Sequence, residues 1–224
     1  MAQKIKLVDN ILRELENMIV RDMDSGDKLP AELELAERFG VGRSTIRESM
    51  TALVARKLVT RTNEGTFVSE HVSECLVDPL DILINMEVGN VEDLMQLREI
   101  LELGTIRLAA ENADESTIRN LERLDWQMHE PGITADIMQK RDIEFHSEIA
   151  RASGNVVLME LLNALREVIA TNIESKDAMA GLGGDSHNMH REIIEAIQAH
   201  DADLAYDQMK EYFRFVRENG AFKE

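Results

Sequence analysis

Leu7, Ile11, Leu12, Leu15, Met18 and Ile19 recur at intervals of three and four residues, the spacing of one helix face. This amphipathic helix is predicted to end near Ser25-Gly26-Asp27. Leu29-Pro30 then opens a second helix, Ala31 to Phe39, which carries Leu33, Leu35, Ala36 and Phe39 and closes at Gly40. Gly42 breaks the chain again. Ser44 or Thr45 can begin a third helix, with Ile46, Met50, Leu53 and Val54 on one face. The period then falls to two. Leu58 to Thr62 and Thr66 to Ser69 read as short strands around a turn at Asn63-Glu64-Gly65. Two short helices across Gly40-Val41-Gly42 make a helix-turn-helix, and the hairpin makes it winged.

Beyond residue 74 every patterned segment is helical. The expected helices are Val77 to Met86, Asp93 to Ala110, Glu115 to His129, Ala135 to Ala152, Val156 to about Ala178, Met189 to Ala199, and one capped by Asp201 that runs to about Glu218. Breaks fall at Pro131-Gly132, Ser153-Gly154-Asn155 and Gly181 to Gly184. The predicted fold is mainly α: an N-terminal winged helix-turn-helix with a small β-hairpin, then a C-terminal all-α bundle. The expected boundaries are a winged helix-turn-helix domain over residues 1–70, a linker over 71–76, and an all-helical domain over 77–224.

Composition adjusts this picture through charge. The 224 residues carry a net charge of −18, which by itself argues against a simple basic coat for nucleic acid. The charge is unevenly spread. Residues 1–74 hold 11 Lys/Arg against 13 Asp/Glu, while residues 75–224 hold 14 against 30. Arg43, Arg47, Arg56, Lys57 and Arg61 face only Glu48 over the segment 43–61. A local basic stretch thus sits inside the winged region. The single cysteine, Cys75, excludes an internal disulfide framework and a cysteine-based zinc site. No apolar stretch approaches the roughly 18–20 residues of a membrane span. Met1-Ala2-Gln3-Lys4 leads into charged residues with no secretion signal, so the expected compartment is the cytoplasm.

In a helix-turn-helix the second helix enters the major groove, and its first residues meet the bases. Arg43 and Arg47 can bond guanine or phosphate, and Ser44 and Thr45 can bond either. The run LPAELELAERFGVGRSTIRESMTALVARKLVTRTNEGTFVSE resembles the DNA-binding domain of the GntR family of bacterial transcription regulators. The resemblance implies that Arg43, Ser44, Thr45 and Arg47 contact double-stranded operator DNA. It also implies that a wing of Arg61, Thr62, Asn63 and Gly65 reaches the minor groove. Leu33 stands where many members carry arginine, Gly42 where a polar residue is common, and Glu64 is acidic at the wing tip. The operator sequence therefore cannot be copied from relatives.

Among the later helices, Asp142 and His146 are four residues apart and share one helix face. With His190 they form a set suited to zinc, nickel or another borderline divalent metal. A surface ion pair is the alternative for Asp142 and His146. The runs VEDLMQLREILELGTIRLAAENA, KRDIEFHSEIARASGN and HREIIEAIQAHDADLAYDQM resemble the all-helical FCD effector domain of the FadR-like branch. Metal-binding members of that branch use one Asp and three His. Asp142, His146 and His190 match the first three, and Tyr212 falls where the fourth is expected. Two readings stay open. Three ligands hold the metal while effector or water completes its shell, or the pocket is metal-free and Tyr212 donates a hydrogen bond to the ligand. His187 is a lower-ranked substitute ligand.

Arg98, with Glu102 one turn later, reads either as a surface pair or as a cavity cation. The resemblance implies that it meets an anionic effector, a small carboxylate such as lactate, pyruvate or glycolate, or a sugar acid. The implied function is a homodimeric, ligand-responsive transcription regulator, a repressor released by its effector. The alternative is a metal-dependent enzyme acting on a small carboxylate. No nucleophile motif, P-loop or dinucleotide fingerprint supports that alternative.

Overall fold

A computed structural model describes residues 2–70, 73–172 and 183–219, with residues 2–5, 183–187 and 219 described by their backbone alone. The chain divides into two compact units, Met1–Leu76 and Val77–Glu224. Among the described residues there are ten helices and one two-stranded sheet.

In the first unit, α1 (Ala2–Asp22), α2 (Glu32–Phe39) and α3 (Arg43–Ala55) enclose a core. Leu15, Leu35, Ile46 and Leu53 are fully buried in it, and Met50 is nearly so. Each such side chain contributes roughly 1.5–3 kcal/mol relative to exposure, so the 3.6-residue pattern of α1 and α3 is what holds the unit together. Gly40 ends α2 in a left-handed conformation, φ 65°, which glycine adopts without steric cost. The chain can then reverse within two residues into α3. Strands β1 (Val59–Thr62) and β2 (Gly65–Val68) pair antiparallel, with Val59 opposite Val68 and Thr62 opposite Gly65. The turn between them is only Asn63-Glu64, tighter than the three-residue turn the sequence suggests. The segment before α2 also joins the sheet. Lys28 bridges to Phe67, and the Leu29 amide donates to the Thr66 carbonyl at 2.8 Å.

The second unit contains α4 (Glu74–Asn85, whose first residues belong to the first unit), α5 (Val91–Asn112), α6 (Glu115–Met128), α7 (Ala135–Ala152), α8 (Val156–Asn172), α9 (Gly183–Gln198) and α10 (Ala202–Asn219). Its main core joins α5, α6, α7, α9 and α10 through Ile106, Leu121, Phe145, Ile193, Ala205 and Met209. A second cluster packs α8 against α5 through Leu94, Leu162, Leu165 and Val168. Asn90 caps α5 in a reciprocal box: it accepts from the Asp93 amide while Asp93 accepts from the Asn90 amide, each at 2.9 Å.

Two boundaries differ from the sequence expectation. Helix α4 begins at Glu74, inside the expected 71–76 linker, where an acidic residue in the first turn suits a helix start. Helix α9 begins at Gly183 rather than near Met189. Glycine costs only about 1 kcal/mol in a helix, and burial of Ile193, Ile194 and Ile197 anchors the turns that follow. The expected extension of α8 to Ala178 and the loop at 181–182 lie outside the described residues. Among the described residues no helix is long and apolar enough to cross a membrane.

Candidate functional site

The first candidate surface is the start of α3 with the wing. Arg43, Ser44 and Arg47 are exposed there, as are Arg61, Thr62 and Asn63. Thr45 departs from the expectation of a DNA contact. It is only 5% exposed, because its helical position points it with Ile46 into the core. Gly65 closes the hairpin at φ 147°, a conformation that favours glycine. The Thr62 hydroxyl supports the turn by accepting from the Glu64 amide at 3.1 Å. Glu32, at the start of α2, accepts from Arg47 Nε at 3.3 Å and from Arg61 Nη2 at 2.9 Å. One carboxylate thereby holds a recognition-helix arginine beside a wing arginine. The composition-level basic stretch did not disclose this contact, since Glu32 lies outside it.

The second candidate site lies inside the second unit, where polar residues occupy core-facing positions of six helices. In α7, Asp142, Phe145, His146 and Ile149 form one buried stripe at helical spacing. In α9, His190 precedes Ile193, Ile194 and Ile197 on the same face. In α10, Tyr212 lies among Met209, Phe213 and Val216. Packing these faces brings Asp142, His146 and His190 together, with one potential ligand atom from each and all three within 4.8 Å of one another. The Asp142 Oδ1 atom lies 3.5 Å from His190 Nε2 and 3.8 Å from His146 Nε2. The surface-pair alternative for Asp142 and His146 is thereby excluded, since they are 5% and 1% exposed.

Tyr212 is buried too, and its hydroxyl donates to Asp142 Oδ1 at 3.0 Å. Burial and the nearby Asp142 charge push the phenol well above its ordinary pKa. It is therefore a neutral donor and not an anionic ligand. Burial alone would raise the Asp142 carboxyl. His146, His190 and Arg98 outweigh it and hold the group below the usual carboxylate range. Burial lowers the His146 imidazole despite the opposing pull of Glu102 and Asp142, the direction that favours the neutral form metal ligation requires.

Arg98 belongs to this interior, not to a surface pair. Its Nε donates to Glu102 Oε1 at 2.8 Å, and its guanidinium carbon lies 5.5 Å from the Phe213 ring centroid. Arg166 of α8 approaches the same oxygen through Nη2 at 2.9 Å, and it donates to the His146 carbonyl at 3.1 Å. Burial opposes the Glu102 charge, but Arg98, His146 and Arg166 hold its carboxyl well below the ordinary range. Glu102 Oε2 also lies 2.7 Å from His146 Nδ1. That carboxylate is the polar partner of His146 Nδ1. His146 Nε2 and both ring nitrogens of His190 lack hydrogen-bond partners among the described residues.

Sequence reasoning missed Arg166 and Asp125. Arg166 is a lone cation in the apolar run of α8, between Leu165 and Val168, and that isolation was a usable signal. Asp125 of α6, 5% exposed, places Oδ1 at 3.8 Å from His190 Nδ1 and 3.4 Å from His129 Nδ1. Its place one turn from both Leu121 and Met128, on the apolar stripe of α6, was a usable signal. The side chain of His187 lies outside the described residues. A groove of about 440 Å³ between α5 and α10, floored by Met95, Phe213 and Val216, lies against the ring that Arg98 covers.

Two family models match this chain: Bacterial regulatory proteins, gntR family, over residues 7–68, and FCD domain over residues 93–215. HTH-type transcriptional regulator LutR of Bacillus subtilis is 36% identical over 152 residues, covering 66% of this chain and 68% of that protein. HTH-type transcriptional repressor NanR of an Enterobacter species is 30% identical over 219 residues, covering 94% and 84%. The solved structure of Streptococcus agalactiae GntR is 31% identical, with a TM-score of 0.73 over 94% of this chain and 99% of that one. The enzymatic alternative is set aside, because family and relatives alike are transcription regulators. The chain belongs to the GntR family of bacterial regulatory proteins, in the FadR-like branch that couples a DNA-binding helix-turn-helix to a ligand-responsive FCD domain.

Proposed function

We propose that the chain is a homodimeric repressor that leaves its operator when a small carboxylate or sugar acid occupies the FCD domain. The observation that carries this reading is the buried cluster of Asp142, His146 and His190, with three imidazole nitrogens lacking hydrogen-bond partners among the described residues. Buried polar atoms are rarely left unsatisfied, so a site of this kind is shaped for something the protein binds. Asp142, His146 and His190 would hold a divalent cation, zinc or nickel, since neutral imidazole and carboxylate suit both. Arg98 and Arg166 are balanced by Glu102 and Asp142. When bound, the cation supplies the surplus positive charge that favours an anionic ligand. Arg98 is the cation placed to orient the carboxylate, and Tyr212 is a neutral donor beside it.

Residues 1–70 form the DNA-binding domain in this reading, 71–76 the linker, and 77–224 the effector and dimerisation domain. Arg43, Ser44 and Arg47 read the major groove, while Arg61, Thr62, Asn63 and Gly65 carry the wing into the minor groove. A dimer presents two such surfaces to successive major grooves. Work on a bacterial operator places the protein in the cytoplasm. The sign of the response follows the repressor named among its relatives. Effector binding that favours one domain arrangement lowers operator affinity by linkage, typically 5- to 150-fold. The test is a thermal-shift screen of small carboxylates and sugar acids, with and without zinc. A stabilising compound that also releases promoter DNA supports the reading. The reading fails if no compound stabilises the protein and Arg98→Ala leaves the inducing response intact in cells.

A further inference from the structure

The oxygen that a metal would use is already engaged. Asp142 Oδ1 lies 3.5 Å from His190 Nε2 and 3.8 Å from His146 Nε2. Those separations approach the roughly 3.4 Å edge of a tetrahedron with ~2.1 Å metal–ligand bonds. The same oxygen accepts the Tyr212 hydroxyl at 3.0 Å. The phenol ring stands 4.9 Å from the His146 ring and 5.3 Å from the His190 ring, centroid to centroid. It thus fills the corner from which a fourth protein donor would come, with a group that donates a proton where a ligand must offer a lone pair.

We propose that Tyr212 is a built-in competitor of the metal. It holds Asp142 Oδ1 in the metal-free state and keeps the Asp142–His146–His190 cluster a weak, three-donor site. The inference rests on the metal reading above and adds its regulation. A cation must share or displace the Tyr212 hydrogen bond, and it then keeps a coordination position open for a donor that is not protein. The consequence is a site whose occupancy follows the supply of metal and of exogenous ligand, where a four-donor site would stay filled.

Calorimetric titration of zinc into the full chain and into three variants tests this. Y212F removes the competing hydroxyl and keeps the ring. It should bind zinc about two- to tenfold more tightly than the unaltered chain, the range expected for one lost hydrogen bond. Y212H supplies a fourth donor and should bind more tightly again, by on the order of tenfold. H190A should lose zinc. Weaker zinc binding by Y212F would overturn the proposal, because Tyr212 would then be a ligand. Y212H no tighter than the unaltered chain would overturn it as well. If neither the unaltered chain nor Y212F nor Y212H takes zinc, the metal reading itself falls. A measurement on the unaltered chain avoids variants altogether. Tyr206 is the other of its two tyrosines, so ¹³C labelling of tyrosine Cζ gives two signals. Zinc should move the Tyr212 signal and leave Tyr206 in place. Zinc binding with neither signal moved would overturn the competition.

Discussion

Replacing Glu102 by glutamine removes a charge that pairs with Arg98, Arg166 and His146 in the FCD domain. Glu102 is 2% exposed and Arg166 3% exposed, so neither charge can turn to water. Oε1 takes Arg98 Nε at 2.8 Å and Arg166 Nη2 at 2.9 Å. The carbonyl oxygen of a glutamine of the same volume can still accept both bonds, but the negative charge that balances the two guanidiniums is gone. Breaking a buried ion pair by removing one partner costs about 3–5 kcal/mol, since the remaining charge is left uncompensated. The lower end is expected here, because the Arg98 side chain is 12% exposed and can draw partly toward solvent. Against a typical domain stability of roughly 5–15 kcal/mol, that loss is large. Urea denaturation followed by fluorescence measures it. The only tryptophan, Trp126, lies on α6 of this unit and reports its unfolding. Arg166→Met in the Glu102→Gln background should restore part of the loss, since it removes the stranded charge. A loss below about 1 kcal/mol, or two substitutions that simply add, would refute the buried network.

Three further outcomes follow. Arg43→Ala and Arg47→Ala should each weaken operator binding by about 1–3 kcal/mol where a base contact is lost, read by fluorescence anisotropy on labelled promoter DNA. Asn90→Ala removes half of the capping box of α5 and should cost about 1 kcal/mol of unfolding free energy in the same urea assay. The Glu102 carboxyl is depressed in the folded state. Its contribution to stability is therefore complete above the unfolded pKa of about 4.3 and fades as pH falls from there toward the lower folded value. Acid titration followed at Trp126 should show this loss, and Glu102→Gln should flatten it.

The winged region was legible because its signals are local. Apolar spacing in α1 and α3, the glycine stops at Gly40 and Gly42, and the alternation after Leu58 each act within a few residues. What escaped was the inward turn of Thr45 and the grip of Glu32 on Arg47 and Arg61. Both depend on how α2, α3 and the hairpin pack. In the second unit the helices could be read, and Asp142, His146 and His190 were found through spacing and resemblance. Their convergence joins positions up to 48 residues apart in the chain, which no periodicity encodes. Arg98 and Glu102 read equally well as a surface pair, because i,i+4 spacing is the same on either face of a helix. Only the packing of α8 against α5, with Arg166 arriving on the same carboxylate, distinguishes the buried network from that alternative.

Coupling of ligand occupancy in the FCD domain to DNA affinity is the property on which the proposed function turns. Its most direct test is anisotropy titration of promoter DNA by the full chain at fixed salt, with and without zinc and the best carboxylate or sugar acid from the stability screen. Salt must be fixed because phosphate contacts make affinity steeply salt-dependent. Preference for promoter over random duplex is expected, with the ligand lowering promoter affinity at least about fivefold and Arg98→Ala abolishing that change. Equal affinity for both duplexes, or promoter binding indifferent to a ligand that demonstrably occupies the FCD domain, would contradict it.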